Sequence, residues 1–293
     1  MKLRFADSGM IDALANIFRV GFGEPQNAVD YFFKNRFKPE NCAVCVVKNR
    51  VVSALHLLDA SVRVKDKMRR AYYLFAAATL PEHRGAGYMP KLIEFANQES
   101  QKRGRAYSVL LPAGDKLYSY YERLGYQRLY KARAIALDEA QMRALASAGA
   151  VSDRAVSHDA CKICDIRSRF LKNSEHSLIW DENAIDYALN INKIYGGETI
   201  CSDEGYAICR PGENNSLEVL EFIVSGTDAP NLLARIYQAF PGCYYKLSVP
   251  VCLDFFSGCG EIVDSGMIKP LSGCEIAIEK NDSGRAYLGL GLN

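Results

Sequence analysis

Leu74-Phe-Ala-Ala-Ala-Thr-Leu-Pro-Glu-His-Arg-Gly-Ala-Gly-Tyr-Met-Pro-Lys-Leu-Ile93 decides how this chain is read. A short apolar run leads into Pro81, an Arg-Gly-x-Gly turn follows, and a helical pattern begins. Strand, glycine turn and helix start, in that order, offer backbone N–H groups to a phosphate. A helix N-terminus carries unpaired donors and the positive end of the helix dipole. Gly85 and Gly87 have no Cβ, so the backbone there can turn tightly and come close to a ligand. Met89, Leu92, Ile93 and Ala96 recur at helical spacing and Gly104 ends the run. Pro90 falls in the first turn, where its missing N–H costs little. Alone, the turn fits either a phosphate cradle or an ordinary strand–helix connection.

A second segment narrows the choice. Residues 105–111 read as the next buried strand, and residues 115–124 as a short helix with Asp115 as N-cap. Gly125 stops that helix and Tyr126 opens another strand. Together the two segments resemble the GNAT superfamily of acetyl-CoA-dependent N-acyltransferases. Pro81-Glu-His-Arg-Gly-Ala-Gly87 is similar to that family's pyrophosphate motif, Arg/Gln-x-x-Gly-x-Gly/Ala. Tyr121-Glu-Arg-Leu-Gly-Tyr126 is similar to its Tyr-x-x-x-Gly-Phe/Tyr segment, and the spacing between the two also fits. The resemblance covers residues 1–137. Met89 departs from it, standing where the family usually has a second Gly or Ala and leaving a bulkier phosphate loop.

Outward from this centre, residues 2–5 read as a strand. Ser8 can cap a helix with Ile11, Leu14 and Phe18 on one face, closing at Gly21. Val29, Phe32, Phe33 and Phe37 mark a second helix. Residues 42–47 and 51–58 are strands joined by the polar turn Lys48-Asn49-Arg50; residues 63–70 are a charged connection to a strand over 71–79. Residues 138–160 are rich in Ala, Ser and charge and read as a helix and linker. Beyond them come a helix over 178–189, strands over 200–209 and 217–224, a helix over 230–240, a strand over 243–249, and short strands over 275–279 and 286–290. This repeats the strand–strand–helix–strand order without an Arg-Gly-x-Gly. The expectation is an α/β (α+β) fold: a GNAT-like mixed central sheet flanked by helices over 1–137, then a degenerate GNAT-like domain over 161–293. Such a tandem resembles the enhanced-intracellular-survival aminoglycoside acetyltransferases, with no room for their sterol-carrier-like domain.

Composition bounds the setting. The 293 residues suffice for two domains. No run of about 18 apolar residues suggests a transmembrane helix, and Met1–Asp7 has no apolar signal core. Ten scattered cysteines suggest no disulfide framework and point to a reducing cytoplasm. Residues 1–150 hold 24 Lys and Arg against 14 Asp and Glu, a net +10; residues 151–293 hold 12 against 20, a net −8. This division is compatible with simple surface partition. It is equally compatible with a basic half that attracts a polyanionic coenzyme and an acidic half that attracts a cationic amine, both long-range effects that salt weakens.

The resemblance implies acetyl-CoA as cosubstrate and direct transfer to a primary amine in a ternary complex. The amine must lose a proton, the oxyanion needs a donor, and the thiolate needs a proton. Tyr121 matches the family position that places a phenol near the sulfur, and a phenol of reference pKa about 10 is protonated at neutral pH. Tyr118 and Tyr120 are alternative donors, and core packing is the competing reading of all three. By the same resemblance, backbone N–H groups at Ala77, Ala78 and Thr79 meet the thioester and pantetheine. Arg84, Gly85, Ala86, Gly87, Tyr88 and Met89 form the phosphate loop. The base stays open between Glu24, in the loop joining the first two helices, His56 and a water chain. Glu218 and Glu221 could hold an ammonium group or be surface charges.

No metal is expected. His158, Cys161 and Cys164 fall short of a four-ligand zinc set, and Cys201 and Cys209 lack its spacing. Cys42 and Cys45 would point to opposite faces of a strand. The basic run Arg63, Lys65, Lys67, Arg69 and Arg70 comes without a recognition helix or stacking aromatics, so it reads as a solvated hairpin and no nucleic-acid partner is expected. No membrane partner is expected either. The acceptor is a small-molecule or peptide amine, and self-association into a homo-oligomer is left open. A non-catalytic acyl-CoA-binding or sensing module is the alternative function.

Overall fold

Short apolar runs punctuated by polar turns build the first sheet. β1 (Lys2–Phe5) is followed by α1 (Ile11–Phe22) and α2 (Gln26–Asn35), then by β2 (Cys42–Val47), β3 (Arg50–Val64) and β4 (Lys67–Thr79). α3 (Tyr88–Lys102), β5 (Tyr107–Leu110), α4 (Asp115–Glu122) and β6 (Gln127–Leu137) complete this half. The computed structural model describes residues 1–150, 159–225, 227–271, 273, 276 and 286–291. They fall into two compact units. The first comprises Met1–Val62, Met68–Arg128 and a return segment from Gly266; the second comprises most of the remainder.

In the first unit β1 runs antiparallel to β2 and β2 to β3, whereas β5 lies parallel to β4. α3 is the crossover that this parallel pair requires. Lys48 and Asn49 both hold left-handed angles (φ 48° and 61°), which gives the β2–β3 turn a twist that matches its strands. Leu92, Ile93 and Ala96 of α3 and Tyr118 and Tyr121 of α4 pack over Ala43, Cys45, Leu55 and Tyr72 on one face. Leu14 and Ile17 of α1 cover Cys42, Val44, Ala54 and Ala78 on the other. The result is a mixed sheet between two helical layers.

Several local expectations change. Asp7, not Ser8, accepts the capping bond at the first turn. α1 runs through Gly21 and ends at Gly23 (φ 71°). Gly21 serves packing instead: a Cβ there would lie 2.7 Å from the Ala78 Cβ. The charged stretch over 63–70 is a hairpin tip, as its solvated charges suggest, with β3 and β4 longer than expected and turned by Lys65 and Asp66 at φ 48° and 60°. Asp115 is the first helical residue of α4, with Gly114 at the cap.

The second unit follows the same plan. α5 (Glu139–Ala146) begins with a full capping box between Asp138 and Gln141. α6 (Ala160–Phe170), β7 (Leu178–Ile179) and α7 (Glu182–Ile194) precede β8 (Glu198–Cys201), β9 (Gly205–Pro211) and β10 (Ser216–Val224). α8 (Ala229–Ala239) then crosses to β11 (Tyr244–Pro250), which is parallel to β10, and β12 (Glu261–Pro270) follows. β11 pairs antiparallel with β6, while Gly266–Pro270 of β12 belong to the first unit and pair with β5. Each unit therefore takes a strand from the other half of the sequence. The strand expected over 200–209 is a hairpin, the helix expected from 178 starts only after Asp181 caps it, and α6 and β12 were not foreseen. The strand expected over 275–279 lies outside the described residues apart from Ile276. Residues 286–290 form no strand.

That last segment is tied down by a buried ion pair. Glu221 is 0% exposed; it accepts from the Tyr206 hydroxyl at 2.6 Å, from the Leu290 N–H at 3.2 Å and from Arg167 Nε at 3.4 Å. Arg167 also donates to the Leu178 and Leu288 carbonyls, both at 2.9 Å. Removing one partner leaves an uncompensated buried charge. Arg167→Met should cost about 3–5 kcal/mol in urea denaturation, and Arg167→Met with Glu221→Leu should cost less than the single change.

Candidate functional site

β4 and β5 pair only over Ala71–Tyr73, opposite Tyr107–Val109. β5 ends at Leu110, while β4 continues to Thr79, so the parallel pair separates. Within the unpaired stretch Ala76 sits at φ 49°, a left-handed angle uncommon for a residue with a Cβ. It breaks the pleat of β4 just before Ala77-Ala78-Thr79. Ala77 and Thr79 are half-buried and Ala78 is buried. Ser53, on β3, bonds the Ala78 carbonyl at 3.0 Å and the Thr79 hydroxyl at 2.8 Å.

A 3₁₀ turn over Pro81–His83 leads to Arg84, whose Nε returns to the Thr79 carbonyl at 3.1 Å. Gly85 (φ 77°) and Gly87 (φ 71°) need their lack of a Cβ for backbone angle; space alone would admit one. Gly87 caps α3 with no side-chain acceptor over the helix start. Tyr88 and Met89 supply N–H groups there and Pro90 none. A cleft of about 320 Å³ joins these parts, lined by Thr79, Arg84, Gly85, Gly87, Tyr88 and Met89 from the expected set. Ala86 is exposed at the loop tip. His83 and Tyr120 also line the cleft. His83 stands inside the quoted motif, but nothing in sequence separates a cleft imidazole from a turn residue.

The tyrosines divide by burial. Tyr121 is 8% exposed, with its ring 5.1 Å from Tyr120 and 5.6 Å from Tyr126, and burial pushes its phenol well up. Tyr120 is half-buried and also raised by burial. Glu24 is half-buried in the α1–α2 loop, which begins two residues after the Gly21–Ala78 contact. His56 is 4% exposed, with Phe18, Phe32, Phe33 and Phe37 rings 4.8–6.3 Å away. Burial lowers its pKa to about 3, so the imidazole is neutral and enclosed.

Other candidates take structural places. Glu221 is a core ion-pair partner, not a surface charge or an ammonium site, and Glu218 pairs with Lys246 at 3.7 Å. Cys42 and Cys45 pack into opposite faces of the first sheet. Cys161 and Cys164 lie on α6, and His158 lies outside the described residues. Among the described residues no three potential ligands cluster as a metal site, and no helix is long and apolar enough to cross a membrane.

The corresponding place in the second unit is built differently. β10 pairs with β11 over Ser216–Val219, then bulges and runs on to Val224. Where the first unit has Gly87, α8 is preceded by Asp228, whose carboxylate accepts from the Glu204 N–H and the Asn231 side chain. A fixed carboxylate at a helix start opposes a phosphate.

Two outcomes follow from this geometry. Ala76→Gly should leave stability unchanged or raise it by up to about 1 kcal/mol, while Ala76→Val should lower it, both read by chemical denaturation. For His56 the folded-state pKa lies below the ordinary value, so the unfolded chain binds the extra proton. Stability should be full above about pH 6.5 and fall as pH drops toward 3, by up to about 1.4 kcal/mol per pH unit. His56→Leu should flatten that slope in urea midpoints measured between pH 7 and 4.5.

The sequence model of the GNAT acetyltransferase domain matches residues 2–129. No curated relative matches the sequence. Among solved structures, a GCN5-related N-acetyltransferase from Kribbella flavida is 17% identical with TM-score 0.70, over 92% of this chain and 72% of its own. Eis1 from Mycobacterium abscessus is 12% identical with TM-score 0.66, over 93% and 74%. A putative acetyltransferase from Pyrococcus horikoshii is 15% identical with TM-score 0.59, over 99% and 95%. At such identities the structural likeness speaks to the fold, and the domain match speaks for residues 2–129. Residues 2–129 therefore match a GNAT acetyltransferase domain, within a fold shared with solved acetyltransferases.

Proposed function

We propose that the protein transfers an acetyl group from acetyl-CoA to a primary amine by direct attack in a ternary complex. The observation that carries this reading is the single cleft in which the end of β4, the glycine loop and the α3 N-terminus converge. Backbone N–H groups of Gly85–Met89 hold the pyrophosphate, and Arg84 ties that loop to β4. The edge of β4 at Ala77–Thr79, freed from β5, receives the pantetheine arm and the thioester carbonyl. Bound there, acetyl-CoA supplies an activated acyl group with a thiolate leaving group.

Glu24, or a water held beside it, takes the amine proton as nitrogen attacks. Tyr121 returns a proton to the departing sulfur; its burial-raised pKa keeps the phenol protonated across the physiological range. Tyr120 is the second reading, because it lines the cleft. The acceptor is a small-molecule or peptide amine. The second unit is a degenerate GNAT-like domain without a phosphate cradle, and the free thiols of the described cysteines suit a reducing cytoplasm. A non-catalytic acyl-CoA sensor is the alternative that Met89 in the loop and the burial of Tyr121 favour.

Calorimetric titration of acetyl-CoA, 3′-dephospho-coenzyme A and pantetheine tests the site. Micromolar binding that requires the pyrophosphate, at one site per chain, is expected; Gly87→Trp should abolish it. Absence of binding at millimolar ligand overturns both the enzyme and the sensor. In an amine panel, Tyr121→Phe should lower kcat by about 100-fold with coenzyme affinity unchanged. If Tyr120→Phe carries that loss instead, the acid is Tyr120. No turnover of any amine, with coenzyme bound, favours the sensor.

A further inference from the structure

We infer that the Thr79 hydroxyl is locked as a hydrogen-bond acceptor and receives an amide N–H of the coenzyme's pantetheine arm, an inference that rests on the proposed acetyl-CoA site. A serine hydroxyl has one proton. Ser53 Oγ lies 3.0 Å from the Ala78 carbonyl oxygen, which can only accept, so its proton goes there. Thr79 Oγ1 lies 2.8 Å from the same Ser53 oxygen and must therefore donate to it. Its proton is spent on the buried side, and only lone pairs are left for the cleft that Thr79 lines.

Ser53 is fully buried on β3, so the arrangement is fixed from behind, away from any ligand. The Thr79 carbonyl already takes the Arg84 Nε proton at 3.1 Å. A ligand passing Thr79 is thus met by an acceptor. Thioester and phosphate oxygens cannot satisfy it, whereas an amide N–H can. The phosphate loop shares this cleft, so a ligand anchored there by its pyrophosphate extends its pantetheine amides past Thr79. Ser53 is the positioning residue and Thr79 the binding one.

The test compares acetyl-CoA with 3′,5′-ADP, which carries phosphates and adenosine but no pantetheine, by calorimetry on the full chain. Thr79→Val should weaken acetyl-CoA about three- to tenfold, the scale of one hydrogen bond, with 3′,5′-ADP unchanged within about twofold. Thr79→Ser should retain the wild-type ratio of the two affinities. Ser53→Ala should weaken acetyl-CoA in the same direction, and adding Thr79→Val to it should bring no further loss beyond that of Thr79→Val alone. Wild-type acetyl-CoA affinity in Thr79→Val overturns the inference and would leave the hydroxyl facing the amine. Additive losses overturn the link to Ser53. Parallel weakening of 3′,5′-ADP would place the effect in the loop and also overturn it. If wild-type protein binds neither ligand, the coenzyme reading itself has failed.

Discussion

Two parallel strands that pair for only three residues and then separate are the constraint on which the first unit depends. A paired β4 would spend its backbone groups on β5; a separated one must satisfy them elsewhere or offer them to a ligand. Part of this edge is satisfied elsewhere in the chain. On the β3 side Leu80 donates to the Val52 carbonyl and Ser53 takes the Ala78 carbonyl. On the other side the Thr79 carbonyl is met by Arg84 from the loop that follows. The left-handed Ala76 costs backbone energy and is tolerated because packing on both faces over-determines it. The glycine loop has its place for the same reason, since it begins where β4 stops.

The same β–β–β–α–β plan, with a parallel pair joined by a crossover helix, recurs in both units, and their differences lie at the helix starts. α3 opens on a glycine with no acceptor over it, and α8 opens beside a fixed aspartate. A carboxylate therefore stands at the start of α8, and none stands at the start of α3. Buried polar groups hold the cores beneath. In the first, Tyr72 donates to Asn97 at 2.5 Å and Ser108 meets Tyr126 at 2.6 Å, under the helices that frame the cleft. In the second, Arg167 and Glu221 anchor the Ala286–Gly291 segment. Such groups are costly when half-satisfied, so they demand one arrangement of their surroundings.

By itself the sequence determined the elements whose cause is local. The glycine turn, the helix after it, the β2–β3 turn and the order of strands and helices over residues 1–137 follow from backbone angles that only certain residues accept and from apolar periodicity, both of which are written along the chain. The glycine loop and the cleft it lines were legible for that reason. What only the tertiary structure decided is burial and company. Glu221 reads as an acid on a strand until Arg167, 54 residues away, is seen beside it. His56 reads as a base until Phe18 of α1, Phe32 and Phe33 of α2 and Phe37 beyond it close around it. Tyr120 and Tyr121 are adjacent letters, and helix rotation alone sends one to the cleft and the other to the core. β12 escaped notice because half its residues serve one unit and half the other, so no single face imposes a period on it. Solvation and partner distance set what these side chains can do, and neither exists until the chain has folded.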